Sequence, residues 1–275
     1  MLTVNLTTTR ERLPLCRVAV VSLLLQSRPA DGIRLWISKT PYLQDAGIDA
    51  AHWQAFLDSL PAHWHSRIEA CWVENTGPYR KLLPALGQAS LDDILVTADD
   101  DIFYGEHWLE HLMNAHEQQP SDLVACRIRR VRRNAFGKTT SYLHWPLVPK
   151  AERLQADYLV TFGAGAVLRR GLFDEADIAR QDYLKLAPAA DDLWFSALLR
   201  RQGVAVQVVP RALQALQFIS HGSGLKLQNL PGRQSWLERA RLRLWSNTAG
   251  YLGLAVCGND VANRRIAAFF QQGDL

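Results

Sequence analysis

Short β-rich runs and segments of helical periodicity alternate along most of the chain. Leu2 to Thr7 reads as a first strand and ends in a polar stretch, Thr7 to Arg12. Pro14 then stands where a first helical turn tolerates it, and Leu15, Val18, Val21, Leu24 and Leu25 recur at helical spacing. Ile33 to Ser38 predicts a second strand, the segment around Ala50 to Leu60 a helix, Arg67 to Val73 a third strand and Tyr79 to Leu86 a short helix. Ile94 to Ala98 is a short apolar strand that runs straight into Asp99, Asp100 and Asp101. Glu106 to Gln118 predicts a helix with Trp108, Leu109, Leu112 and Ala115 on one face and Pro120 as its stop. Leu123 to Ile128, Ala164 to Leu168 and Val204 to Val209 read as later strands, with a helix from about Asp192 to Gln202 before the last. Arg129 to Lys150 reads as a basic, aromatic-containing excursion outside the core. The tail is less regular, apart from a basic helix around Trp236 to Trp245.

Strands alternating with helices predict an α/β sheet flanked by helices. No internal repeat interrupts the pattern. The expected organisation is one domain over residues 1–215, with residues 216–275 as a partly helical C-terminal extension too short for a core of its own. Composition supports this, since 48% hydrophobic and 21% charged residues are ordinary for a globular protein and exclude long disorder. The net charge of +4 suits anionic ligands such as nucleotide diphosphates, or attraction to an anionic membrane surface, and is too small to argue for nucleic acid. Cys16, Cys71, Cys126 and Cys257 are scattered in apolar stretches without zinc or redox spacing, which predicts reduced, buried thiols. With no basic-then-apolar leader at Met1 to Arg10 and no window of about 20 apolar residues, the expected location is cytoplasmic, with peripheral contact at the inner membrane face left open.

Three adjacent aspartates repel one another, so their arrangement calls for a reason. At the carboxyl end of a strand they occupy the usual place for ligands in an α/β sheet. Their oxygens suit Mg²⁺ or Mn²⁺, which would bridge the two phosphates of a nucleotide and stabilise a departing diphosphate. The alternative is a solvated acidic turn at the start of the next helix.

The stretch Asp92-Asp93-Ile94-Leu95-Val96-Thr97-Ala98-Asp99-Asp100-Asp101-Ile102-Phe103-Tyr104, followed by Trp108-Leu109, resembles the D-x-D segment of bacterial glycosyltransferases of the GT-A fold, family-2-like and of the polysaccharide or lipopolysaccharide biosynthesis type. Thr76-Gly77-Pro78-Tyr79-Arg80-Lys81-Leu82-Leu83-Pro84-Ala85-Leu86 resembles the segment beside the nucleotide in a subgroup of those enzymes. The opening strand and Thr7-Thr8-Thr9-Arg10-Glu11-Arg12 fit as well, so the resemblance spans roughly residues 2 to 210. It implies a GT-A-like (Rossmann-like) mixed, mainly parallel sheet and a nucleotide-sugar donor. It also implies a metal at Asp101, Asp99 on the nucleoside side or on the metal, and Asp100 between the two roles. Thr7, Thr9 and Arg10 would line the nucleoside pocket. Lys81 would reach the diphosphate, or else be a solvated surface lysine.

The same resemblance extends to two later stretches. Gly163 and Gly165 within Phe162-Gly163-Ala164-Gly165-Ala166-Val167-Leu168 would let backbone approach the donor sugar and acceptor, although Gly-Ala-Gly also serves tight strand packing. It is not a dinucleotide fingerprint, because the third glycine is missing. Asp191-Asp192-Leu193-Trp194-Phe195, with Leu198, Arg200, Arg201 and Gly203 after it, is similar to the catalytic acidic pair of inverting enzymes of this fold. Asp192 would then be the general base and Asp191 its neighbour, and an N-cap is the competing role. The resemblance also makes His221, between Ser220 and Gly222, a metal or diphosphate ligand; a structural histidine is the alternative. Arg127, Arg129, Arg130, Arg132, Arg133 and Lys138, near Tyr142, His144 and Trp145, form either a solvated basic loop or a site for an acidic acceptor.

The implied activity is metal-dependent transfer of a sugar to a hydroxyl of a surface glycan or lipid-linked acceptor, with inversion. A non-catalytic nucleotide- or glycan-binding protein of the same fold is the alternative. A sugar nucleotidyltransferase would want a glycine-rich loop after the first strand, and Thr7 to Arg12 contains no glycine.

Overall fold

A computed structural model describes residues 1–220 and 245–273. The period-two alternation read from the sequence builds its central sheet. Val4 and Leu6 of β1 (Leu2–Leu6) face one apolar layer, together with Ile33, Leu35 and Ile37 of β2 (Gly32–Ile37) and Val96 of β4 (Ile94–Thr97). Trp36 and Leu95 point to the other layer. Between β2 and β4 in sequence lies β3 (Ile68–Trp72), and after β4 come β5 (Ile102–Tyr104), β6 (Leu123–Ala125), β7 (Ile128–Arg130), β8 (Arg153–Leu154), β9 (Tyr158–Val160), β10 (Ala166–Leu168), β11 (Val206–Val208) and β12 (Leu216–Phe218).

Eight strands form one sheet in the order β3-β2-β1-β4-β10-β6-β11-β8. Strands β1 to β4 run parallel; β10 is antiparallel to both β4 and β6, and β8 is antiparallel to β11. Two small antiparallel pairs, β5 with β12 and β7 with β9, stand apart from it. This mixed, mainly parallel sheet flanked by helices is the expected GT-A-like architecture.

Helices cover both faces, as a two-sided apolar sheet requires. On the first layer lie α1 (Leu13–Leu24), α2 (Ala50–Asp58), α4 (Trp108–Gln118) and α8 (Pro210–Gln214). In α4 the buried residues Trp108, Leu109, Leu112, Met113 and His116 form one stripe. The second layer takes α3 (Leu83–Gln88), α5 (Glu175–Ala179), α6 (Tyr183–Leu186), α7 (Asp191–Arg201) and the C-terminal α9 (Gly258–Gly273). Helix α9 lies on α7, where Trp194 and Phe270 bring their ring centroids to 5.4 Å. Pro14 sits in the first turn of α1, as its fixed φ and missing N–H allow.

Some expectations need correction. The strand expected over Leu123 to Ile128 is two: β6 stays in the main sheet, and β7 leaves it to pair with β9. The excursion from Arg129 to Lys150 is partly core, since Trp145 and Val148 are buried and the Trp145 indole donates to the Thr140 carbonyl at 3.1 Å. Basic side chains at its surface mask those apolar anchors. β12 lies within the expected extension yet pairs with β5 directly after the three aspartates. His221 and residues 236–244 lie outside the described residues. The four cysteines are free; Cys16 and Cys126 are buried, while Cys71 and Cys257 are half-buried. No helix among the described residues is long and apolar enough to cross a membrane.

Candidate active site

Parallel pairing of β1 with β4 brings the carboxyl ends of both strands to one edge of the sheet. The first end supplies Thr7 to Arg12, and the second supplies Asp99 to Asp101. Strand β10 enters between β4 and β6 in the opposite direction, with Ala166 opposite Thr97, so the loop before it reaches the same edge.

Cations inside the protein separate the three aspartates. Asp100 is buried; Thr8 donates its hydroxyl to it at 2.6 Å, and the Arg12 guanidinium pairs with it. Arg12 also reaches Asp101 at 3.0 Å. Burial pushes the Asp100 carboxyl up to about 7, against the pull of Arg12 and the Thr8 hydrogen bond. Asp99 turns the other way and takes a bond from Lys81 Nζ at 2.7 Å. Its backbone N–H donates to the Tyr104 hydroxyl at 2.7 Å, and that hydroxyl donates to the Gly163 carbonyl at 2.7 Å.

Lys81 is a buried lysine and not a solvated one. It touches Asp99 and, at 3.2 Å, Asp191. Burial opposes its charge, but Asp191, Asp99 and Asp192 outweigh that penalty and raise its pKa. Neither acidic residue at the start of α7 caps the helix with its side chain. Asp191 faces Lys81, while Asp192 accepts the Phe162 backbone N–H at 3.0 Å. Burial first, and the neighbouring Asp191 next, push the half-buried Asp192 up to about 8, with Lys81 pulling the other way.

The Phe162–Ala164 turn links the two acidic groups. Its Phe162 N–H holds Asp192, and its Gly163 packs against Asp99, where an added Cβ would stand 1.7 Å from the carboxylate oxygen. Thr97 donates to the Phe162 carbonyl at 2.7 Å, and the Trp108 indole donates to that of Ala164 at 3.1 Å. Gly165 has φ +122°, and a Cβ there would meet the Trp108 ring at 2.5 Å. The sugar-wall and tight-packing readings of these glycines therefore divide: their immediate neighbours are Asp99 and Trp108.

A cleft of about 720 Å³ opens over this group, within the range of roughly 300–1,000 Å³ usual for small-molecule sites. Thr7, Thr9, Lys81, all three aspartates, Asp191 and Asp192 line it; Arg10, Gly163 and Gly165 do not. Thr7 donates its hydroxyl to the Trp36 carbonyl at 2.7 Å. Arg12, two residues beyond Arg10, is the arginine that enters the cleft, and the pattern of the polar stretch did not separate them. Sequence reasoning also missed Thr8, Tyr104 and the buried Arg80–Asp45 pair at 2.8 Å, which lines the cleft and steadies the Thr8 carbonyl. No spacing signal announces partners 35 residues apart.

Among the described residues no three acidic, histidine or cysteine side chains converge as a ready metal cage. Mg²⁺ does not need one, because it keeps waters and phosphate oxygens and takes one or two carboxylates. Asp99 and Asp101 line the cleft and are partly open to it, and a cation there would share Asp99 with Lys81 and Asp101 with Arg12. The donor set fits a hard divalent cation.

Residues 56–176 match the family model described as glycosyl transferase family 2. That match supports a family-2 glycosyltransferase. The matched segment carries Lys81, the three aspartates and the Phe162–Ala164 turn, while Asp191 and Asp192 lie beyond it. No curated protein matches the chain significantly. A similar solved structure is that of S. aureus TarS 1-349, with 16% identity, a TM-score of 0.48 and coverage of 76% of this chain. The chain spans 58% of that structure's length.

Proposed function

We propose that this protein transfers a sugar from a nucleotide-diphosphate donor to a hydroxyl of a surface glycan or lipid-linked acceptor, with inversion. The observation that carries the proposal is Lys81, which ties Asp99 of the triplet to Asp191 of the late acidic pair across one cleft. Two acidic groups about ninety residues apart in sequence are thereby held as one site.

Asp192 takes the proton of the acceptor hydroxyl. The acceptor oxygen bonds to the anomeric carbon as the bond from that carbon to the diphosphate oxygen breaks, and the leaving nucleoside diphosphate keeps the electron pair. A carboxyl raised to about 8 is a stronger base than an ordinary one and has a pKa near the working pH. Asp191 and Asp99 fix Lys81, whose charge lies where the diphosphate develops its own. Thr7 and Thr9 line the donor end. Asp99 and Asp101 would hold Mg²⁺ or Mn²⁺, which supplies Lewis-acid stabilisation of the leaving diphosphate. Asp100, with Thr8 and Arg12 on its carboxylate, holds the loop after β1 in place.

The exposed side chains of Phe136, Tyr251, Leu252 and Leu254 support peripheral contact with an anionic membrane face. Their loops touch, since Asn134 donates to the Tyr251 carbonyl at 3.0 Å; the exposed basic residues Arg132 and Lys138 lie on the first segment, and Arg264 of α9 donates to the Gly253 carbonyl of the second.

The test is a thermal-shift screen of nucleoside diphosphates with and without Mn²⁺, followed by turnover of the matching nucleotide sugars. One diphosphate should stabilise the protein by about 2.7 kcal/mol at 100 times its dissociation constant. Asp101→Asn should remove the Mn²⁺-dependent part. Binding without turnover across the acceptor panel would instead mark a non-catalytic module.

A further inference from the structure

Arginines alternate in their environment along the segment that enters and forms β7. Ile128 is buried in the second apolar layer, while Arg127 and Arg129 on either side of it line the cleft. Of the arginines of this stretch that do not line the cleft, Arg130 pairs with Glu152 at 2.6 Å and Arg133 with Asp157 at 3.3 Å, while Arg132 is exposed to solvent. Among the described residues, no carboxylate lies within ion-pair distance of Arg127 or Arg129.

Aromatic rings hold them instead. The Arg127 guanidinium lies over the Phe218 ring, 4.9 Å from its centroid, and Arg129 over Tyr142 at 5.1 Å. Arg129 spends one N–H on the Trp145 carbonyl at 2.6 Å. Stacking orients a guanidinium, and an edge left open matches a carboxylate or phosphate; Arg129 has spent donors on the Trp145 carbonyl and the Tyr142 hydroxyl and keeps the rest. Phe218, Tyr142 and Asp192 line the same cleft, and the Tyr142 hydroxyl feels the charges of Arg129, Asp192 and Arg127 together. Arg129 thus stacks on a ring that feels the Asp192 charge, while the Phe218 ring under Arg127 belongs to the strand paired with Ile102 beside the triplet.

We propose that Arg127 and Arg129 recognise an anionic group, phosphate or carboxylate, on the acceptor sugar. The proposal rests on the glycosyltransferase reading and adds the acceptor's chemical class.

The experiment uses three acceptors that differ mainly in charge: glucose, glucuronate and glucose 6-phosphate. Each is titrated into the full chain by calorimetry with Mn²⁺ and the stabilising nucleoside diphosphate, and each is then assayed with the nucleotide sugar. At least one anion should bind tenfold or more tighter than glucose, and which anion prefers the site separates phosphate from carboxylate recognition. In Arg127→Gln/Arg129→Gln that preference should collapse to within threefold, with nucleotide affinity unchanged. Equal binding of glucose and both anions would overturn the proposal. So would a double variant that loses nucleoside diphosphate affinity instead, because the arginines would then serve the donor. Failure of every nucleotide sugar to turn over would count against the glycosyltransferase reading, while the calorimetric preference still decides whether the arginines bind an anion.

Discussion

The two walls of the cleft handle charge in opposite ways. On the triplet side each aspartate meets an internal cation: Lys81 spans Asp99 and Asp191, and Arg12 spans Asp100 and Asp101. On the β7 side, Arg127 and Arg129 stack on Phe218 and Tyr142 and meet no carboxylate. A buried charge without a partner costs several kcal/mol, so the inner wall carries its own cations before any ligand arrives, Lys81 and Arg12 each shared between two carboxylates. The outer wall is more open to water and holds charge without an internal counter-ion. On the proposed assignment, the difference separates parts that are fixed in advance from parts that select a ligand. The two acidic groups are also joined twice: the Lys81 pairs and the Phe162–Ala164 turn link them independently.

The largest effect belongs to Asp192. Asp192→Asn should lower transfer by roughly 10²–10⁴-fold with the fold intact, the usual contribution of a general base. Asp191→Asn should act through Lys81 and also lower stability. Equal kinetics in the two variants would erase the distinction between base and neighbour. The pH profile sharpens it. With the Asp192 carboxyl raised to about 8, its proton must leave before it can act, so kcat/KM should rise with pH and level off above about 8. Stability runs the other way: the folded state keeps a proton that the unfolded chain releases near pH 4. This group's contribution is therefore complete below that pH and is lost as pH climbs to about 8. Asp192→Asn should flatten both profiles.

Next comes Lys81. Lys81→Met leaves Asp191 and Asp99 facing each other without their cation. Breaking a buried pair costs about 3–5 kcal/mol. Asp99's side chain is 36% exposed, which argues for the lower end and a Tm loss of roughly 6–10 °C. A neutral result in thermal denaturation would mean that water already screens this wall. Gly163→Ala is a milder probe, because its Cβ would stand 1.7 Å from Asp99 Oδ2 and must push that carboxylate off Lys81. Overpacking of this kind costs about 1–3 kcal/mol. The Mn²⁺-dependent nucleotide shift should weaken with it; an unchanged shift would detach Asp99 from the donor.

Much of this site was legible because strands announce themselves and their ends collect ligands. Ile94–Thr97 runs into the triplet as its apolar run predicts, and Asp191 and Asp192 open α7 within a residue of the expected start. Partners across the sheet were not legible. Lys81 stands 18 residues from Asp99 and Thr8 92 from Asp100, and no local period reports such distances. Three-residue strands such as β5, β9 and β12 are too short to show alternation. Trp145 was hidden for a different reason: the arginines around it made a buried anchor look like surface.

The smallest expected effect tests the outer wall by its indifference. Arg127 has no carboxylate to abandon, and its ring partner Phe218 is itself half-exposed. Arg127→Gln therefore removes one exposed cation–π contact, worth at most about 1 kcal/mol. Urea denaturation should place this variant within that margin of the parent at the pH where Lys81→Met loses about three times as much. The m-value should not change, because no core surface is exposed. If Arg127→Gln instead destabilised as strongly as Lys81→Met, Arg127 would be a structural cation like Lys81. The outer wall would then have no charge to spare for a ligand, and the contrast between the two walls would fail.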